Sequence, residues 1–347
     1  MNTFYKLSIQ QIIKETSTAI SILFNIPDNL KDKFQFVAGQ YVTLKTMLNN
    51  EEIRRAYSIC ASPKSNQLKV AVKAVENGKF STFATTLLKE GDELEVSIPE
   101  GKFIVQPQND KNYIAFAAGS GITPVLSMIT SVLESSNASI TLMYGNKTAE
   151  DTIFYKQLNS LQVAHPQQFK LQYVYSKTRD ENALFGRIDQ DNVNSFIKNN
   201  CKDVSFDAAF LCGPEEMITK VTATLQENGF DKNDIHFELF TASTSEENIS
   251  QIKDGETEIT VMLDDEETSF TMKQTDTLLA ASLRNKIDAP YSCQGGVCSS
   301  CIAKVTEGKA VMTKNSILSD EELADGLILT CQAHPTTPKV VVDFDDV

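Results

Sequence analysis

The chain has 347 residues, a net charge of −14, 41% hydrophobic and 22% charged residues. That balance excludes wholesale disorder and, for want of a basic footprint, excludes nucleic acid as a partner. One core stops growing near about 250–300 residues, so two or three domains are predicted. The most apolar stretch, Tyr113 to Val125, is broken by Gly119, Gly121 and Pro124, and Met1 to Thr16 holds no uninterrupted apolar run, so neither a membrane span nor a signal peptide is expected.

In chain order, residues 1–108 alternate in short β-like runs, at Ile20 to Ile26, Gln40 to Thr46, Leu68 to Val75 and Glu93 to Ile98, punctuated by Gly39, Gly78, Gly91 and Gly101. This texture predicts a small antiparallel barrel. Over 109–241, apolar runs (Tyr113–Ala118, Ile140–Tyr144, Phe169–Tyr175, Ala208–Cys212, His236–Leu239) alternate with helical stretches (Pro124–Glu134, Phe154–Leu161, Glu215–Asn228). Such alternation predicts a parallel sheet covered by helices. Residues 242–254, rich in Ser, Thr and acids, read as a linker that lets the next module dock or swing. In 255–347 the runs Thr257–Leu263 and Glu267–Met272 read as a hairpin and Thr277–Lys286 as a helix, so a compact α+β module is predicted. Residues 256–347 hold 16 Asp and Glu against 7 Lys and Arg. That surplus is either a solvated surface or a face that steers a basic partner.

Seven cysteines, four of them in the last 55 residues, do not form the even set of a secreted disulfide scaffold, and a reducing cytoplasm is expected. Cys293, Cys298 and Cys301, with Cys331 further on, have the x4, x2 spacing that wraps three thiolates around one small cluster while a distant fourth closes the cage. Zinc sites usually pair a C-x2-4-C with a second such pair, which is missing here. Gly295 and Gly296 suit the loop because they admit unusual dihedrals and let backbone N–H groups approach sulfur. His334, near Cys331, is at most a tuning group.

Gly119-Ser120-Gly121-Ile122-Thr123-Pro124 follows an apolar strand and opens a helical run, where small residues let a pyrophosphate meet backbone N–H groups. By itself the motif is weak: the third glycine of the dinucleotide fingerprint is absent, and a tight strand–helix turn would look the same. In Arg55-Ala56-Tyr57-Ser58, a guanidinium can pair a flavin pyrophosphate, a ring can lie on the flavin, and a hydroxyl can bond its edge.

Taken together and in this order, residues 50–347 resemble the ferredoxin-NADP reductase superfamily with a C-terminal plant-type ferredoxin, in the layout of the reductase subunits of phenylacetyl-CoA epoxidases. The resemblance implies that Arg55, Ala56, Tyr57 and Ser58, with Val72, Lys73 and the turn Gly78-Lys79-Phe80-Ser81-Thr82, bind FAD, FMN being the alternative. It implies that Gly119, Gly121, Thr123 and Pro124, and Cys212-Gly213-Pro214 with Met217, hold the nicotinamide nucleotide, and that Phe240, after Glu238 and Leu239, lies against the flavin. Cys212, Phe240, Glu238 and Ser58 are the expected catalytic set. Ser176 and Arg179, with Lys177, Thr178 and Arg187, favour NADPH by offering hydroxyl and cationic groups to a 2′-phosphate. The family often has Ser-Arg where Ser176-Lys177 stands here, which leaves NADH open. A nicotinamide gives two electrons as hydride and a [2Fe–2S] cluster takes one, so a flavin must stand between them. The implied acceptor is a di-iron oxygenase attacking phenylacetyl-CoA, docking near the ferredoxin domain. Relatives serve ring-hydroxylating dioxygenases, desaturases and other monooxygenases, and a self-contained flavin or ferric reductase or a non-catalytic redox sensor are the other readings.

Overall fold

The protein is described from a computed structural model covering residues 3–202, 204–240 and 246–347. Six antiparallel strands open it: Phe4–Lys14 (β1), Ala19–Asn25 (β2), Tyr41–Leu48 (β3), Glu51–Ser58 (β4), Leu68–Lys73 (β5) and Glu93–Ser97 (β6). They lie in the order β4-β3-β6-β1-β2-β5. The two edge strands meet where Ile59 bridges Val70 and the Cys60 N–H donates to Lys69 O at 2.8 Å, which curls the sheet into a barrel. Period-2 alternation turns Leu7, Ile22, Leu44, Val70 and Val72 inward, all fully buried, each such side chain contributing roughly 1.5–3 kcal/mol. Helix Lys79–Thr86 (α1) sets Phe80 and Ala84 into the same core.

Two features here differ from the sequence expectation. Strand β1, the longest of the barrel, breaks its alternation at a register shift between Ile9 and Gln11, which hid its period. Arg55 to Ser58, which fall between the β-like runs Gln40 to Thr46 and Leu68 to Val75, themselves form the end of strand β4.

The second sheet is wholly parallel. Its strands are Asn112–Ala118 (β7), Ser139–Asn146 (β8), Phe169–Tyr175 (β9), Ala183–Phe185 (β10), Ala208–Cys212 (β11) and Ile235–Glu238 (β12), ordered β10-β9-β8-β7-β11-β12. Helices Ile122–Ser135 (α2), Tyr155–Ala164 (α3), Gln190–Asn200 (α4) and Glu215–Glu227 (α5) connect them. Every residue of α2 from Ile122 to Leu133 is buried, as a helix that is apolar on nearly all sides must be. Its polar members find partners: Ser127 Oγ donates to Ala61 O at 2.6 Å and Thr130 Oγ1 to Leu126 O at 2.9 Å. The order reverses between β7 and β11, and open α/β sheets bind ligands outside the carboxyl ends of strands at such a reversal. Among the described residues no helix is long and apolar enough to cross a membrane.

Leu239–Val347 form a compact unit separate from Phe4–Glu238. In it lie Glu246–Ile249 (α6), Glu256–Leu263 (β13), Glu266–Lys273 (β14), Leu278–Arg284 (α7), Ile302–Glu307 (β15), Ala310–Met312 (β16), Asp320–Ala324 (α8), Leu327–Leu329 (β17), Ala333–Pro335 (β18) and Lys339–Asp343 (β19). The main sheet, β14-β13-β19-β15-β17, is antiparallel except for the β13–β19 pair, a β-grasp arrangement, while β16 and β18 form a second ribbon. Helix α7 is capped by Thr277, whose hydroxyl accepts from Ala280 N–H, and it buries Leu278, Leu279 and Ala281 in a core that includes Cys301 and Cys331. Thr241 to Ser245 lie outside the described residues. The rest of the expected linker begins with the single turn α6, tied to this unit by Asn248 Nδ2, which donates to Met312 O at 2.7 Å.

Candidate functional site

Register brings Ala118, Gly145, Cys212 and Glu238 to the carboxyl edge of the parallel sheet, through the pairs Ala118↔Gly145, Ala117↔Cys212 and Cys212↔Glu238. Gly119–Gly121 form one 3-10 turn there, with Gly119 at φ +55°. A methyl group on Gly121 would lie 2.1 Å from Cys212 O, so the loop after β7 touches the backbone of the loop after β11 across the point of reversal. Met217 packs against Gly213, where a methyl would meet its Cε at 2.6 Å. Thr123 and Pro124 are buried in the first turn of α2, and Thr123 Oγ1 donates to Ser120 O at 3.0 Å. Lys73 reaches this turn, with Lys147 near enough to act on its charge. Lys73 Nζ lies 3.6 Å from where a methyl on Gly119 would be, and its pKa is lowered first by burial and then by the charge of Lys147, partly offset by Asp151. A half-buried ammonium group beside the backbone N–H groups of this turn fits an anionic pyrophosphate.

Ser58 ends strand β4 and reaches the parallel sheet, its hydroxyl donating to Glu238 Oε2 at 3.3 Å. Glu238 is partly exposed as a residue, yet burial of its carboxyl pushes the pKa up to about 8, against the opposing hydrogen bond from Ser58. Next to it on β11, the Cys212 thiol is fully buried and held far above its ordinary range, first by burial and then by the Glu238 charge. Cys212 is therefore no thiolate nucleophile. Phe240 lies two residues past the end of β12, in the C-terminal unit, and is 40% exposed.

On β4 successive side chains face opposite ways, so Tyr57 turns from Ser58 toward α1, where its ring meets that of Phe80 at 5.5 Å. This contact brings Tyr57 to the first turn of α1, which Gly78 opens with no side-chain cap, and Arg55 lies two residues before it on the same face of β4. A methyl at Gly78 would lie 2.3 Å from Ser81 Oγ, and that hydroxyl accepts from Val75 N–H at 3.2 Å. Guanidinium, phenol and uncapped N–H groups in one place suit a flavin with a pyrophosphate. Val72 fits less well than expected, since its side chain is wholly inside the barrel core.

At the far end of the sheet, Ser176, Lys177 and Arg179 follow β9, and the Ser176 and Lys177 N–H groups are tied back to Asn146 O and Lys147 O. The Arg179 guanidinium sits over the Phe185 ring, 4.9 Å from its centre.

The cysteine loop curls because Gln294 and Gly296 both take left-handed backbone, φ 52° and +74°. Gly295 does not, and a methyl there would meet nothing closer than 3.8 Å, so Gly296 carries the conformational demand that the sequence assigned to both. The curl turns N–H groups inward: Gly295 N–H donates to Cys293 Sγ at 3.3 Å, and the N–H groups of Val297 and Cys298 also favour its thiolate. The thiols associate in pairs. Cys298 donates to Cys293 and lowers its pKa, and Cys301 donates to Cys331 with the same effect, while both donors are pushed well above their usual range, first by the hydrogen bond they give and then by burial. Among the described residues no three His, Cys, Asp or Glu side chains gather as for a single metal ion. Soft thiol donors with backbone N–H dipoles directed at them suit a negatively charged iron–sulfur cluster. His334 is buried and its Nδ1 engages Gln274 O at 3.2 Å.

Sequence reasoning missed Lys147 and Gln332. The first follows the strand end Gly145-Asn146, and the second is a polar residue directly after a cysteine ligand candidate in an otherwise apolar run; those positions were the available signals.

Three family models match in series: an oxidoreductase FAD-binding domain over residues 6–104, an oxidoreductase NAD-binding domain over 116–223 and a 2Fe-2S iron-sulfur cluster binding domain over 261–336. The chain is 39% identical to a component of the 1,2-phenylacetyl-CoA epoxidase of Escherichia coli K12, covering 99% of each. It is 30% identical to the ferredoxin reductase component of the 3-ketosteroid-9-alpha-monooxygenase of Rhodococcus rhodochrous, covering 97% of this chain and 96% of that one. Among solved structures, phthalate dioxygenase reductase superposes with a TM-score of 0.64 at 24% identity, covering 98% of both chains.

Proposed function

Because the chain belongs to the ferredoxin-NADP reductase superfamily, among those members that end in a plant-type [2Fe–2S] ferredoxin domain, we propose that it carries electrons from NADPH to a di-iron epoxidase acting on phenylacetyl-CoA. The single observation that supports hydride transfer most strongly is the meeting of Ser58 and Glu238, which joins the last strand residue of β4 to the carboxyl edge of the parallel sheet. The bound flavin supplies the exchange between a two-electron hydride donor and a one-electron cluster.

The residues of this chain prepare that exchange. Arg55, Tyr57 and the N-terminus of α1, from Gly78 to Thr82, bind FAD, with Lys79 at its rim. Gly119, Gly121, Gly213 and Pro214 leave a slot between backbones for the dinucleotide, and Lys73 and Lys147 neutralise its pyrophosphate. With a pKa near 8, Glu238 keeps its proton at neutral pH, so its carboxyl and the Ser58 hydroxyl form a chain that supplies or accepts a proton beside the transferred hydride. Cys212, uncharged and small, closes the floor of the slot. Ser176, Lys177, Arg179 and Arg187 select NADPH through its 2′-phosphate. Cys293, Cys298, Cys301 and Cys331 hold the cluster within a ferredoxin domain spanning 255–347, after a flavin domain of 1–108, a nucleotide domain of 109–241 and a linker of 242–254. A cytoplasmic location agrees with seven unpaired thiols and with the use of NADPH.

The test is reconstitution. The purified chain, the epoxidase components and phenylacetyl-CoA should consume NADPH in step with epoxide formed. NADPH oxidation that rises with free flavin or chelated iron and ignores the epoxidase would favour the self-contained reductase instead.

A further inference from the structure

Cys331 is followed at once by Gln332, a residue with a long polar side chain that is nonetheless only 8% exposed. Burying a primary amide is unfavourable unless its donors and acceptor are met, and here all are. Gln332 Nε2 donates to Gln294 O at 2.9 Å and to Cys331 O at 3.0 Å, and Cys331 Sγ, 3.7 Å away, shares one of these two N–H groups as a longer, bifurcated acceptor. Its Oε1 accepts from Thr313 Oγ1 at 3.0 Å, which fixes the sense of the amide and aims the N–H groups at the cysteine loop. Gly296 makes room for the stem: a methyl there would stand 3.1 Å from Gln332 Cγ. The loop carrying Cys293 and the turn between β17 and β18 that carries Cys331 are thus joined by one side chain, which also comes within 3.7 Å of a sulfur.

We propose that Gln332 sets the reduction potential of the cluster by donating a hydrogen bond to Cys331 Sγ, and that Thr313 orients it for this role. The reasoning is electrostatic. Reduction adds one negative charge, spread in part onto the cysteine sulfurs, so a donor aimed at a sulfur favours the reduced state and raises the potential. A buried donor does this more effectively than an exposed one because little water screens it. The inference rests on Cys331 being a cluster ligand.

The experiment is a dye-mediated redox titration of the full-length protein, followed by electron paramagnetic resonance of the reduced cluster, in wild type, Gln332→Met and Thr313→Val. Methionine keeps the length of the side chain and removes the N–H groups. In Gln332→Met we expect the ratio of reduced to oxidised cluster at a fixed potential to fall about tenfold, which for one electron is about 59 mV toward the negative. Thr313→Val should shift the ratio the same way by a smaller factor, with full cluster content. Wild-type potential in a cluster-replete Gln332→Met would overturn the proposal. If Gln332→Met fails to hold a cluster, Thr313→Val decides: an unchanged potential there means that Gln332 only braces the loop. A wild-type protein without any cluster signal would overturn the ligand assignment itself, a different failure from the other two.

Discussion

The parallel sheet and the cysteine loop, the two regions proposed to hold charged redox groups, are built by opposite means. The turn at Gly119–Gly121 is made by absence, since neither Gly121 nor Gly213 has a side chain and two backbones can approach each other. The cysteine loop is made by presence: in the proposed assignment four thiols supply the bonds, and the backbone turns N–H groups toward them, as at Cys293. The difference teaches where each site is vulnerable. A backbone slot is broken by adding an atom, a thiolate cage by removing one.

The largest expected effect comes from the cage. Cys331→Ser should abolish the cluster signal and lower NADPH-dependent reduction of a one-electron protein acceptor on the order of 100-fold, while NADPH-dependent reduction of ferricyanide, which can take electrons from flavin directly, stays within about twofold. Parallel assays of the two acceptors check this, and equal loss in both would erase the distinction between the two regions. Gly121→Ala is the matching insult to the slot. A methyl 2.1 Å from Cys212 O must push the loops apart, at about 1–3 kcal/mol of stability, and it should weaken nucleotide binding about tenfold or more while the cluster signal persists. Thermal melts and NADP+ titration read the two consequences separately.

The sequence disclosed these two regions unequally. Cysteine spacing is a covalent requirement written in residue names, so Cys293, Cys298, Cys301 and Cys331 could be read at once as one set. The crevice was harder, because what qualifies Gly121 is the nearness of Cys212 O, and no local pattern near residue 121 specifies a neighbour so far along the chain. The parallel strands Phe169–Tyr175 and Ala208–Cys212 were legible as unbroken apolar runs, since both their faces are covered. The barrel was less so: β1 hides its alternation behind a bulge, and α1, with the sequence KFSTFATT, is rich in the Thr and Phe that favour strands. Gln332 was invisible because only its hydrogen bonds distinguish it from an exposed glutamine.

A smaller, graded effect concerns pH. The Glu238 carboxyl has a folded-state pKa near 8, above its unfolded value, so the folded protein binds the extra proton and stability falls as pH rises from about 4.5 toward 8, then levels off. Glu238→Gln should remove that slope, which melting curves from pH 5 to 9 would detect. The rate of flavin reduction should decline as pH passes about 8 in the wild type and be flatter in Glu238→Gln. Because the Ser58 hydroxyl lowers the Glu238 pKa, Ser58→Ala should move this alkaline limb to higher pH, with only a few-fold change in rate. A limb that stays in place would separate Ser58 from Glu238.

The most direct test of the whole account is anaerobic titration of the full chain with NADPH and then NADH, followed by visible absorption and electron paramagnetic resonance. The account predicts flavin bleaching at lower NADPH than NADH, together with the signal of a reduced [2Fe–2S] cluster. Bleached flavin with a cluster that stays silent even under dithionite would contradict the cysteine assignment, and no bleaching with either nucleotide would contradict the reductase itself.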